Sequence, residues 1–335
     1  MGGRLQCGVV FGLLLAAGAC RPSGSSGPAR FDPDAINGER ALADAADFVR
    51  LGPKVPGTPG DEAAARYLAV RLQALGIEPV VDEFTDDTPR GKVRFRNVLG
   101  AIPGRTDRTI LLLSHYDTKS GIADAFAGAN DSGSSTGLLL ELARAYAHAP
   151  PSGPELLLAF LDGEECRETY GKNDGLHGSR HLAATLVRNG RASHVAAVIL
   201  LDMIGDRSLT VTIPRNGAPH LASLALDAAR EEGARAQFGL SDYNITDDHE
   251  PFLEAKIPAV DLIDLEYGSA PGKNDYWHTA ADTMDKLSAA SLQTVGRVVA
   301  RMLNRLEAEE AAHPPPAARR ARPDAGAPPA KDTAP

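Results

Sequence analysis

Acidic and imidazole side chains recur in six short clusters along this chain: His115-Tyr116-Asp117, Asn130-Asp131, Asp162-Gly163-Glu164-Glu165, Asp202, Asp247-Asp248-His249 and Trp277-His278-Thr279. Carboxylate oxygens and imidazole nitrogens are the donors that zinc takes readily. Taken singly, each cluster has a plainer explanation. A lone histidine more often packs or faces water than binds a metal. An aspartate ahead of a helix, as Asp131 is, more often caps it. Glu164-Glu165 would serve as the solvated start of a helix. The set is harder to dismiss, because acids gathered at the ends of buried strands are costly unless they are paired or metal-bound. A metal centre is therefore the reading that the residues support.

The elements that must position these clusters alternate along the chain. Apolar runs at residues 109–114, 155–161 and 195–201, and a shorter one at 257–263, read as buried strands. Residues 93–102 read as an edge strand. Helical spacing marks residues 61–75, 134–148, 178–187, 219–232 and 287–306. No internal repeat is visible. Strands alternating with helices indicate an α/β fold with helices on the faces of a sheet. In such sheets ligands sit beyond the strand ends, which is where the polar clusters fall.

The motifs H-Y-D, G-A-N-D-S-G, D-G-E-E, L-L-D-M-I-G, D-D-H-x-P-F and W-H-T, in this order, resemble the zinc-dependent aminopeptidase clan, and within it the glutaminyl cyclases. The resemblance spans roughly residues 61–306. It implies a mixed central β-sheet sandwiched between α-helices, aminopeptidase-like. It also implies that Asp131, Glu165 and His278 hold zinc, one ion being expected and two being compatible. A second ion would take His115 and Asp202, with Asp131 bridging. Asp117 would orient His115. Glu164 would be the general acid and base, and Asp202 and Asp247 would share a proton with it. Tyr170, standing where animal cyclases place tryptophan, and Trp277 would wall a glutamine pocket. A cyclase would convert an N-terminal glutamine to pyroglutamate with loss of ammonia. An aminopeptidase would use one or two zincs to activate a water. Asp247 and Trp277 favour the cyclase, whereas H-T-x-x-D-T at residues 278–283 is common to both. Ser114 and Thr136 stand where animal cyclases carry a cysteine pair. Some members of the fold are metal-free binding modules, but every expected ligand and the base are retained here.

The ends of the chain have a different character. Arg4, an apolar run at residues 9–17 and the small residues Ala17-Gly18-Ala19 before Cys20 resemble a signal peptide closed by a bacterial lipobox. The expected layout is a signal peptide at 1–19, a lipid-anchored linker at 20–35, a catalytic domain at 36–310 and a disordered Pro/Ala-rich tail at 311–335. The protein is then an exported lipoprotein of the cell envelope, monomeric, held to a membrane only through Cys20. Cys166 alone remains in the domain, so no internal disulfide is expected, and it reads as a small buried residue. A net charge of −9 without clustered Lys and Arg gives no sign of nucleic acid as a partner, and the family resemblance implies peptide or protein N-termini as substrates. His148, His194, His220 and His313 stand outside the acid-bearing motifs and are expected to face solvent.

Overall fold

The computed structural model describes residues 30–151 and 153–312. Eight strands form one sheet: β1 (Pro79–Thr88), β2 (Gly91–Ile102), β3 (Thr109–His115), β4 (Glu155–Leu161), β5 (Val195–Asp202), β6 (Val211–Ile213), β7 (Phe238–Leu240) and β8 (Ala259–Asp264). Their order is β1-β2-β4-β3-β5-β8-β6-β7. The central strands β4, β3, β5 and β8 run parallel, and β1 and β2 join antiparallel at one side. The α-helices are α1 (Gly38–Val49), α2 (Pro59–Ala74), α3 (Ser135–Tyr146), α4 (His177–Arg188), α5 (Pro219–Glu231), α6 (Glu250–Glu254) and α7 (Ala289–Ala312). This is the mixed α/β sandwich that the sequence implies.

The central strands are apolar along their length because both of their faces are covered. On β3, Ile110 and Leu112 join the core under α1, α2, α3, α5 and α7, while Leu111 and Leu113 join a second core under α4 and α6. Residues 93–102 are not an edge. β1 pairs with residues 91–100 of β2 and forms the edge on this side of the sheet. The alternating basic residues of β2 look solvent-directed in the sequence, but acids of β1 meet them: Lys92–Asp87 at 3.1 Å and Arg96–Glu83 at 3.1 Å. The packed part also extends beyond residues 36–310. Phe31 is buried against Tyr146, and α7 continues to Ala312. The signal peptide, Cys20, His313 and most of the expected tail lie outside the described residues.

Candidate active site

Parallel strands aim their carboxyl ends at one side of the sheet, and the polar clusters meet there. His115 is the last residue of β3, Asp202 the last of β5, and Glu164-Glu165 follow β4. Asp131 comes from the turn Ala129–Ser134 that leads into α3, Asp247 from the loop before α6, and Trp277-His278 from the loop after β8. Asp131 is not a helix cap. Its Oδ1 lies 3.2 Å from His115 Nε2, and its Oδ2 lies 3.2 Å from His278 Nε2. His278 Nε2 is also 3.0 Å from Glu165 Oε1, and His115 Nε2 is 3.3 Å from Asp202 Oδ1. Two donor triads result, Asp131-Glu165-His278 and His115-Asp131-Asp202, each with its donor atoms within 4.8 Å of one another.

Supporting carboxylates hold both sides of this cluster. Asp117 accepts the backbone N–H groups of Glu164 and Glu165, at 3.1 and 3.2 Å, and lies 3.4 Å from His115 Nδ1. Asp282 accepts the N–H groups of Asn130 and Asp131, at 2.7 and 3.3 Å, and a hydrogen bond from the Tyr267 hydroxyl. The sequence offered no direct sign of the roles of Asp282 and Tyr267, although Asp282 stands in the H-T-x-x-D-T motif. Lys119 also belongs to the site, and no motif in the sequence marks it. Its Nζ lies 3.4 Å from Glu165 Oε2 and 3.2 Å from Cys166 Sγ. Cys166 is buried, as expected. Of the other histidines, His148 and His220 are exposed and His194 is half-exposed.

The electrostatics show a site in need of positive charge. Burial opposes ionisation of Asp131, yet hydrogen bonds from His115 and His278 hold it well below the ordinary carboxylate range. Burial by itself would lower His278, but Asp131 and Glu165 lift it to about 9. The surrounding carboxylates draw both imidazoles, His115 and His278, towards protonation, and carboxylate and imidazole donors are those of zinc sites. Glu164 behaves differently. Burial pushes it well above the usual range, His115 pulls it back, and Asp247 and Glu165 add to the rise. Burial raises Asp247 in the same way, with Asp261 and Asp202 adding to it. Asp247 Oδ1 accepts the N–H of Asp248 at 2.6 Å, so it does support its loop, and its carboxyl group shares a hydrogen bond with that of Asp261.

Asp131, Glu164, Glu165, Tyr170, Asp202, Asp247, Trp277 and His278 together line one cavity of ≈130 Å³, closed on its apolar side by Met203, Ile245, Ile263 and Leu265. That is well below the roughly 300–1,000 Å³ of clefts for drug-sized ligands. The Tyr170 hydroxyl donates to Glu164 Oε1 at 2.8 Å. Trp277 is 39% exposed at the mouth and stacks on His278 with ring centroids 4.0 Å apart.

The model of peptidase family M28 matches residues 97–303, which holds every one of these side chains. The chain belongs to peptidase family M28. Within this family it is 31% identical over 275 residues to a glutaminyl-peptide cyclotransferase-like protein of Bos taurus, an alignment covering 74% of this chain and 70% of that protein. Among solved structures, it is similar to a glutaminyl cyclase of an Acidobacteriales bacterium, with a TM-score of 0.78 and 34% identity, covering 87% of this chain and all of that one. A Zn-dependent exopeptidase from Parabacteroides distasonis superimposes with a TM-score of 0.68 and 26% identity, over 80% of this chain and 98% of that one. This M28 chain thus shares its fold with both kinds of relative.

Proposed function

We propose that this chain is a glutaminyl-peptide cyclotransferase, closing the N-terminal glutamine of peptides to pyroglutamate and releasing ammonia. One observation carries the reading: a cavity of single-side-chain size is lined at once by a buried glutamate base, a second buried acid at Asp247 and a convergent metal-ligand triad. The similarity to proteins named glutaminyl cyclase supports it.

Asp131, Glu165 and His278 fit one zinc ion, two carboxylates and an imidazole leaving a coordination position open, as catalytic sites do. Zinc bound there supplies a Lewis acid that polarises the γ-carbonyl of the glutamine. Glu164 takes a proton from the α-amine as the amine nitrogen bonds to the side-chain carboxamide carbon. It returns that proton to the departing ammonia as the carbon–nitrogen bond breaks. The raised proton affinity of Glu164 suits both halves of that exchange. Asp202 and Asp247 share a proton beside it, and Tyr170 fixes the Glu164 carboxylate in place. Trp277 shields the pocket from water.

A second reading has an observation of its own. His115, Asp131 and Asp202 also converge, which suits a second metal and hence an aminopeptidase. Mass spectrometry of a peptide that begins with glutamine, incubated with the purified protein, separates the two. Loss of ammonia is the expected result. Loss of the first residue would transfer the assignment to a peptidase.

We also infer export with a lipid on Cys20, from the signal-like residues before it. Among the described residues no helix is long and apolar enough to cross a membrane. Labelled fatty acid should enter the wild-type chain and not the Cys20→Ala variant.

A further inference from the structure

Lys54 is fully buried, an unusual place for a lysine. No carboxylate forms an ion pair with it among the described residues. Its Nζ instead donates to the carbonyl oxygens of Gly52, at 2.9 Å, and Ala127, at 2.8 Å, and lies over the Phe48 ring 4.8 Å from its centroid. The backbone of the same residue makes two more bonds. Lys54 N–H donates to Thr118 Oγ1 at 2.9 Å, and Lys54 O accepts the Thr118 N–H at 3.3 Å.

Two of these partners, Thr118 and Ala127, are the two ends of one loop. Residues 118–127 follow Asp117, just beyond the end of β3, and return at Gly128, the start of the turn that presents Asp131. Gly128 has a φ of +58°, and a Cβ there would stand 1.9 Å from the carbonyl oxygen of Asp131, so the turn tolerates no side chain at this point. Asp117 grips the Glu164-Glu165 backbone, and Asp131 reaches both imidazoles. Any change in the spacing of the loop ends therefore moves one metal-ligand segment relative to the other. A buried amine is expensive to place. A four-carbon stem carrying several donors is also what reaches two backbone carbonyls from within an apolar slot.

We propose that Lys54 is a positioning residue of the metal site, a clip that fixes both ends of residues 118–127 and thereby the separation of Asp117 from Asp131. The proposal rests on the reading of Asp131, Glu165 and His278 as metal ligands. It does not depend on which reaction the metal serves.

The test uses the full chain loaded with zinc. Zinc affinity is read by competition with a chromophoric chelator, and amide hydrogen exchange is followed along the chain. Lys54→Met keeps a linear apolar stem in the slot and deletes the donors. Zinc affinity should fall about 10- to 100-fold, as for other residues that orient ligands. Exchange should quicken over residues 118–134, while β5 and α7 keep their protection. A folded Lys54→Met protein with wild-type zinc affinity and wild-type exchange over 118–134 overturns the proposal. Should that variant not fold, Thr118→Val, which removes the acceptor at one end of the clip, decides in the same assays: looser zinc supports the clip, and unchanged zinc rejects it. A wild-type chain that holds zinc yet leaves glutamine peptides uncyclised would sink the cyclase reading and leave this one standing.

Discussion

Replacing Tyr170 with Phe removes a single hydroxyl, the one that donates to Glu164 Oε1 at 2.8 Å. The ring stays, so the pocket wall is preserved. A neutral donor on an ionised acceptor contributes about 1.5–3 kcal/mol. At about 1.36 kcal/mol per pK unit, its loss is worth roughly one to two units. The sign follows from which form the bond favours. The hydroxyl stabilises the carboxylate, so removing it raises further a pKa that burial has already lifted. Glu164 must be ionised to accept the amine proton. The acid limb of kcat/KM for cyclisation should therefore move up by roughly one to two pH units, and on that limb the rate should drop about 10- to 100-fold. Above the limb the deficit should narrow, leaving only what looser placement of the carboxylate costs. Ammonia release from a glutamine peptide, coupled to a dehydrogenase and followed across pH, measures both parts. An acid limb that stays in place with an unchanged rate would show that the Tyr170–Glu164 bond has no part in catalysis.

Glu164→Gln keeps shape and hydrogen-bonding reach but loses basicity, so turnover should fall about 10²- to 10⁴-fold with zinc retained; near wild-type turnover would remove Glu164 as the base. His278→Ala should strongly lower zinc content measured by atomic absorption, and an unchanged content would take His278 out of the site. Asp247→Ser should lose most pyroglutamate formation, and a variant as fast as its parent would strip Asp247 of any catalytic part. Lys54 sets a pH dependence of stability: burial lowers it to about 7, with Asp282 and Asp117 pulling it back up, whereas an unfolded lysine titrates near 10.4. Between those values the unfolded chain binds the extra proton, so this contribution is complete above about pH 10 and is lost as pH falls towards about 7, an upper bound of about 4–5 kcal/mol. The stability gap between wild type and Lys54→Met, from urea unfolding, should widen in favour of wild type as pH rises; a gap independent of pH would refute the shift.

The parts of the fold that were legible in the sequence are those whose burial shapes their composition. β3, β4, β5 and β8 are covered on both faces and read as apolar runs. β1 is rich in acids because it is an exposed edge, and that composition hides it as a strand and makes its partner β2 read as the edge. β6 and β7 have three residues each, too few for a period to show. The stripe of α1 includes Ala41 and Ala45, which carry little hydrophobic signal. The ligand candidates were legible because their residue types announce their chemistry. Asp117 could be placed beside His115, but its grip on two backbone N–H groups of another loop could not. Asp282 and Lys54 act on backbone groups 151 and 73 residues away, contacts that no local pattern encodes.

Every group assigned to the chemistry stands at the end of a strand or on a loop, and none lies within the body of the sheet. The two demands on this chain are thus written in separate stretches of sequence. Substitutions in β3, β4 or β5 interiors register in folding, and those in residues 241–249 or 265–278 register in what enters the pocket. Selection can therefore revise substrate preference one loop at a time, with the scaffold untouched. On the proposed reading of Asp247, a neutral residue there would change the reaction without renegotiating the fold.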